Sequence, residues 1–174
     1  MPPVPSSADL QKAADQGDAD AQARLGEMYF GGNAGLPQDS AKAMKWYKKA
    51  AAQGNIRAEY DMGWMYSLGS GMPKDFVQAV EWYKKGANQG DPRSQCRLGY
   101  IYDHGGDASV PQDYVQALEW YRLAADQGYP NALDSLGQMY ERGEGVPQDS
   151  ATAHELTREA ARLRSAAHST SDSK

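Results

Sequence analysis

Apolar residues recur along this chain at helical spacing, in blocks separated by short glycine-rich and polar stretches. Ala58, Met62, Met65 and Tyr66 fall at i, i+4, i+7 and i+8, the apolar stripe of a helix packed on one side. The block returns in register. Leu25-Gly26 with Tyr29, Met62-Gly63 with Tyr66, Leu98-Gly99 with Tyr102 and Leu136-Gly137 with Tyr140 place their glycines 37, 36 and 38 residues apart. A fixed period of this length marks a repeated supersecondary unit that buries its apolar face against its neighbours.

Each unit has a second half with a register of its own. Asp39, Asp75 and Asp113 are followed seven residues later by Trp46-Tyr47, Trp82-Tyr83 and Trp120-Tyr121, and Gly54, Gly90 and Gly128 stand eight residues after each Trp. From Gly17, Gly54, Gly90 and Gly128 to the next Leu-Gly or Met-Gly glycine is always nine residues. Length varies only between that glycine and the Asp, at 13, 12, 14 and 12 residues, which predicts a surface loop between two fixed elements. The flanking residues read as helix boundaries. Asp91-Pro92 is an N-cap followed by Pro at the first helical position. Asp75…Gln78 and Asp113…Gln116 have capping-box spacing, with Asp in place of the usual Ser or Thr. Gly17, Gly54, Gly90 and Gly128 sit where a helix end calls for a left-handed residue. The loops carry Gly and then Pro (Gly69 to Pro73, Gly143 to Pro147), which ends one helix and leads into the next cap.

The combined pattern A-x-x-x-L-G-x-x-Y-x-x-G-x-G-V-P-x-D-x-x-x-A-x-x-W-Y-x-x-A-A-x-Q-G resembles the Sel-one-like repeat, a relative of the tetratricopeptide repeat. Ala132 to Asp149 carries its first half and Asp39 to Gly54 its second, and the resemblance covers roughly residues 8–163. It implies an all-α fold, a right-handed superhelical solenoid of antiparallel helix pairs, acting as an adaptor or scaffold for protein partners. It brings no shared catalytic residues.

The predicted organisation is a disordered N-terminus over 1–7, a single solenoid domain over 8–164 and a polar, disordered tail over 165–174. The domain comprises a half repeat (8–17) and repeats 18–54, 55–90, 91–128 and 129–164. Leu10 to Gly17 parallels Tyr121 to Gly128, so a second-type helix opens the domain and covers the first repeat. The last repeat has Leu156-Thr157 in place of Trp-Tyr, amid Thr152, His154, Glu155, Arg158, Glu159 and Arg162, the polar outer side that a terminal cap needs.

Composition narrows the function. A net charge of -5 and a pI near 5.2 speak against nucleic acid, whose phosphates call for concentrated Lys and Arg. Lys45, Lys48, Lys49, Lys84, Lys85 and Arg122 recur on the second helices and read as a solvated outer face with carbon stems packed along it. Cys96 is the one cysteine, so the chain departs from disulfide-stapled relatives. No apolar run approaches transmembrane length, and Met1 to Ser7 lacks the basic and apolar regions of a signal peptide. The expectation is a cytoplasmic monomer without direct membrane insertion, or a periplasmic or secreted one if a leader was removed. His104, His154 and His168 show no metal-site or triad spacing, and Ser171 to Lys174 is too short a stretch to preorganise a nucleophile. No catalytic residue, metal or cofactor is therefore expected; His104 with Cys96 and Asp103 is the one cluster worth testing.

Framework residues explain packing, so the residues that differ between repeats carry the individuality of the chain. Seven of the 11 tyrosines are framework, leaving Tyr60, Tyr100, Tyr114 and Tyr129; Trp64 is the tryptophan outside it. Arg57, Tyr60, Trp64 and Ser67 form one stripe, with Trp64 about 200° round the helix from Met62. By resemblance to tetratricopeptide domains this stripe lines a concave groove. Repeat one contributes Asp20, Ala23, Glu27 and Phe30; repeat three Arg93, Cys96, Tyr100, Asp103 and His104; repeat four Asn131, Asp134, Gln138, Glu141 and Arg142. The expected partner-binding residues are Glu27, Phe30, Arg57, Tyr60, Trp64, Ser67, Arg93, Tyr100, Asp103 and Gln138, with aromatics central and polar groups around them. The competing account is that the aromatics fill a tight superhelix or pack on the neighbouring first helix. Trp64 is the strongest candidate, because its equivalents are Glu27, Tyr100 and Gln138.

The resulting function is a non-catalytic adaptor holding a peptide or helix of a protein partner. The alternative is a secreted or periplasmic bacterial effector or cell-envelope factor using the same surface. A third is a hydrolase, after the beta-lactamase activity ascribed to some disulfide-rich relatives.

Overall fold

The structure is a computed structural model and describes residues 6–33 and 35–171, the side chains of 168–171 excepted. Residues 1–5 and 172–174 of the expected disordered ends lie outside the described residues. Nine α-helices and no strand occur among the described residues: α1 (Ser7–Asp15), α2 (Ala19–Gly31), α3 (Ser40–Ala51), α4 (Ile56–Leu68), α5 (Phe76–Asn88), α6 (Pro92–His104), α7 (Tyr114–Ala125), α8 (Pro130–Arg142) and α9 (Ser150–Ser171). They group into two compact units, one through Gln89 and one from Gly90.

In the first unit α2 pairs with α3 and α4 with α5, while α1 covers α2. The reason for the recurring glycine is a ring. A Cβ on Gly26 would lie 2.7 Å from Cδ1 and Cε1 of Tyr47, and a Cβ on Gly63 would lie 2.7 Å from the same atoms of Tyr83. Both rings are fully buried. Ala23, Ala43, Tyr47, Ala58, Met62 and Met65 form the main core, and Ala14 of α1 joins Ala21, Leu25 and Trp46 in a second cluster. The carbon stems of Lys49 and Lys85 lie along the outer side, their ammonium groups 4.2 and 3.7 Å from the centroids of Trp46 and Trp82.

In the second unit α6 pairs with α7 and α8 with α9. Gly99 repeats the arrangement: a Cβ there would lie 2.5 Å from Cδ1 of Tyr121. Where the last repeat lacks the tyrosine, a Cβ on Gly137 would meet Ala153 O at 3.1 Å and Thr157 Oγ1 at 3.2 Å. The longest glycine-to-Asp segment is absorbed by a turn in which Asp107 and Val110 form an isolated bridge and Val110 is buried.

The loops close alike whatever their length. The Asp N–H donates to the carbonyl of the framework tyrosine in all four repeats: Asp39 to Tyr29 at 2.8 Å, Asp75 to Tyr66 at 3.0 Å, Asp113 to Tyr102 at 2.7 Å and Asp149 to Tyr140 at 2.9 Å. The same aspartates cap the second helices through Lys42, Gln78, Gln116 and Thr152 N–H groups. The expected capping boxes at Asp75 and Asp113 are therefore only half made, because the cap N–H is already given to the tyrosine carbonyl. A complete box stands at Ser6 and Asp9 instead, so Ser6 and Ser7, expected as disordered, begin α1. At the other end α9 runs past residue 164 to Ser171, so residues 165–171 are helical rather than the start of a disordered tail; alanine-rich sequence favours continuation.

A buried polar position went unread in the sequence. Gln22, Glu59 and Gln95, each five residues after a framework glycine, are buried. The Gln of the following Gln-Gly meets each of them: Gln53 Nε2 donates to Gln22 Oε1 at 2.9 Å, Gln89 Nε2 to Glu59 Oε2 at 2.6 Å and Gln127 Nε2 to Gln95 Oε1 at 2.7 Å. These bonds satisfy side chains that would otherwise cost free energy to bury. Burial pushes the Glu59 carboxyl above the ordinary range, opposed by the Gln89 bond and by Lys85.

Candidate functional site

Within the first unit, two neighbouring first helices share the divergent stripe. Arg57 Nη1 of α4 lies 3.3 Å from each carboxylate oxygen of Glu27 of α2, and Asn55 Nδ2 donates to Asp20 Oδ1 at 2.7 Å. These exposed contacts tie α2 to α4 along the predicted face. Trp64 and Ser67 stand half-buried on α4, and the Ser67 hydroxyl donates to Trp64 O.

Two aromatics of the expected set serve packing. Phe30 lies against the main core, and the Tyr60 ring is tilted at 57° on Tyr83, centroids 5.7 Å apart. Both remain half-buried and reach the surface. Tyr60 thus meets a ring of α5, the second helix of its own repeat, and Phe30 meets the core cluster.

Within the second unit, Arg93 of α6 is anchored by Nε on Asp91 at 3.0 Å, and buried Asp91 also accepts from Ser94 N–H and hydroxyl. Tyr100 is half-exposed and stacks on the His104 ring, centroids 4.2 Å apart. Asp103 faces the helix pair: its Oδ2 accepts from the Tyr121 hydroxyl at 3.4 Å, and burial pushes its carboxyl up against the opposing charge of His104. Gln138 is exposed on α8. Cys96 stands with Arg93, Arg97 and Tyr100 at a cavity of about 170 Å³. No group of three His, Cys, Asp or Glu residues that could hold a metal occurs among the described residues. Among them no helix is long and apolar enough to cross a membrane.

Paired helices repeated at one register define an all-α repeat fold of the solenoid class. The Sel1 repeat family model matches residues 10–18, 19–55, 56–91, 92–129 and 130–165, and the chain belongs to that family. Its repeats are typically protein–protein interaction modules, and its members are generally non-catalytic. No curated protein matches the sequence. Among solved structures, the chain is similar to a protective antigen of uropathogenic Escherichia coli displaying the SLR fold, with 40% identity, a TM-score of 0.85 and coverage of 92% of this chain and 34% of that one. It is also similar to a Sel1 repeat protein from Oxalobacter formigenes, with 34% identity, a TM-score of 0.84 and coverage of 90% and 61%. An immunity protein from Pseudomonas aeruginosa matches at 26% identity with a TM-score of 0.60, over 89% of this chain and 55% of that one. The chain thus spans between a third and three fifths of the length of the first two relatives.

Proposed function

We propose that this chain binds a protein partner, as an extended peptide or a helix, and that in the first unit the contact surface is the α2–α4 face around Trp64. The observation that carries this reading is the Arg57–Glu27 pair. It aligns two first helices so that residues dispensable to the repeat share one surface. Trp64 supplies a partly exposed aromatic anchor where the equivalent positions hold Glu27, Tyr100 and Gln138.

The test compares the intact chain with Trp64→Ala for binding to a captured and identified partner. Trp64→Ala should leave the helical circular dichroism signal and melting temperature nearly unchanged while costing roughly 2 kcal/mol or more of binding free energy. Equal affinity, or a loss seen only together with unfolding, sinks the assignment.

A second reading, a secreted or periplasmic bacterial factor using the same face, is favoured by the likeness to the protective antigen. Fractionation of cells expressing the native gene separates the two.

A further inference from the structure

A cavity in the second unit is lined by Arg93, Cys96, Arg97, Tyr100, Tyr129, Asn131 and Ser135. Arg93 and Arg97 stand one helical turn apart on α6, and Tyr129, Asn131 and Ser135 form the wall at α8. No carboxylate is among the described lining residues, although the chain carries a net charge of -5. The acids nearby have cationic partners that orient the site. Asp91 holds Arg93 by its Nε and so fixes the guanidinium at the cavity, while Asp134 takes Arg164 Nη2. Arg164 Nη2 also donates to Asn131 Oδ1 at 3.1 Å, so the NH₂ end of this amide is the one it has for an occupant. Cys96 adds no charge, since burial pushes its thiol up to about 11 and it stays protonated at neutral pH.

Two guanidinium groups and an oriented amide donor around a small volume favour a negatively charged group over a neutral one, because charge-assisted hydrogen bonds repay its desolvation. A volume of about 170 Å³ admits a group of a few heavy atoms. We propose that the α6–α8 cavity is an oxyanion subsite that takes a compact carboxylate or phosphate group, held by Arg93 and Arg97 with Asn131 donating from the opposite wall. It belongs to the second unit and needs no protein partner to be tested.

The experiment follows amide spectra of the isotope-labelled chain during titration with inorganic phosphate and, separately, acetate, each against sodium chloride at matched ionic strength. Saturable shifts confined to α6 and α8 are expected. Arg97→Gln should weaken the binding about tenfold or more, the scale of one lost charge-assisted bond. Asn131 is exposed, and Asn131→Asp keeps an oxygen for Arg164, so this variant retains the fold while placing a negative charge on the wall; it should abolish the shifts. Tighter phosphate binding assigns the site to phosphoryl groups, and tighter acetate binding to carboxylates. Equal shifts with chloride, no shift with either anion, or wild-type binding by both variants overturns the proposal. Because no partner enters the titration, its failure is distinct from failure at Trp64.

Discussion

Replacing Gly63 by alanine adds a single methyl group to a helix, where alanine is the better helix former by about 1 kcal/mol. The structure predicts the opposite sign for stability. The new Cβ would sit 2.7 Å from Cδ1 and Cε1 and 2.9 Å from Cγ of Tyr83, against the roughly 3.5–4.0 Å of ordinary carbon contact. Relief requires a shift of about 1 Å by a ring that is fully buried and carries Tyr60 against it. Overpacking of this kind costs about 1–3 kcal/mol, and a ring held in this way belongs in the upper part of that range. After the propensity gain the net loss is about 2 kcal/mol. Gly137→Ala is the internal control, since its nearest contacts are 3.1 and 3.2 Å and its neighbour is Thr157 rather than a ring; its net effect should lie within about 0.5 kcal/mol of zero. Urea unfolding followed by far-ultraviolet circular dichroism reads both from the midpoint at unchanged slope. In the double variant Gly63→Ala with Tyr83→Leu, the alanine should cost less than it does alone, because the clash and the ring are one interaction. Wild-type stability of Gly63→Ala, or equal losses at Gly63 and Gly137, would refute the reasoning.

Glu59→Gln tests the buried polar position. The folded-state pKa of Glu59 is raised by burial, so its contribution to stability is fully present below the ordinary glutamate value of about 4.3 and is lost as pH rises through the folded value. The variant, which restores the Gln–Gln pairing of the neighbouring repeats, should therefore exceed the wild type in urea midpoint at neutral pH, with the gain vanishing under acid conditions. Asp75→Ala removes the cap on Gln78 N–H and should lower stability by about 1 kcal/mol, measured by thermal unfolding, while Asp75→Asn should recover most of it. For Asp113, donation from the Gln116 side chain and then its backbone N–H holds the carboxyl below the usual range. Its stabilising contribution should be present above the ordinary aspartate pKa and fade as pH falls through the lower folded value. Asp113→Asn should flatten that part of the pH–stability curve.

The helices, their caps and their loops were legible because the residues that decide them are close in sequence. Asp39, Asp75 and Asp113 cap helices within three residues, and Gly17, Gly54, Gly90 and Gly128 all adopt positive φ. The candidate face was legible in part. Spacing placed Arg57, Tyr60, Trp64 and Ser67 on one stripe, but burial of individual side chains depends on neighbours twenty to thirty residues away. Tyr60 meets Tyr83 and Glu27 meets Arg57 across such distances. Phe30 packs against the core while staying half-buried for the same reason, and the cavity at Arg97, Tyr129 and Ser135 left no local signal because its walls come from different helices.

By itself, then, the sequence determined the period, the helical pairs and the fold class, since each rests on local spacing, capping and turn chemistry repeated in register. Tertiary structure decided what the framework glycines face, which polar side chains are buried together and where a cavity opens. Those outcomes depend on close contact between elements, and the added Cβ that a tyrosine ring would meet at 2.7 Å is invisible until the two helices are side by side.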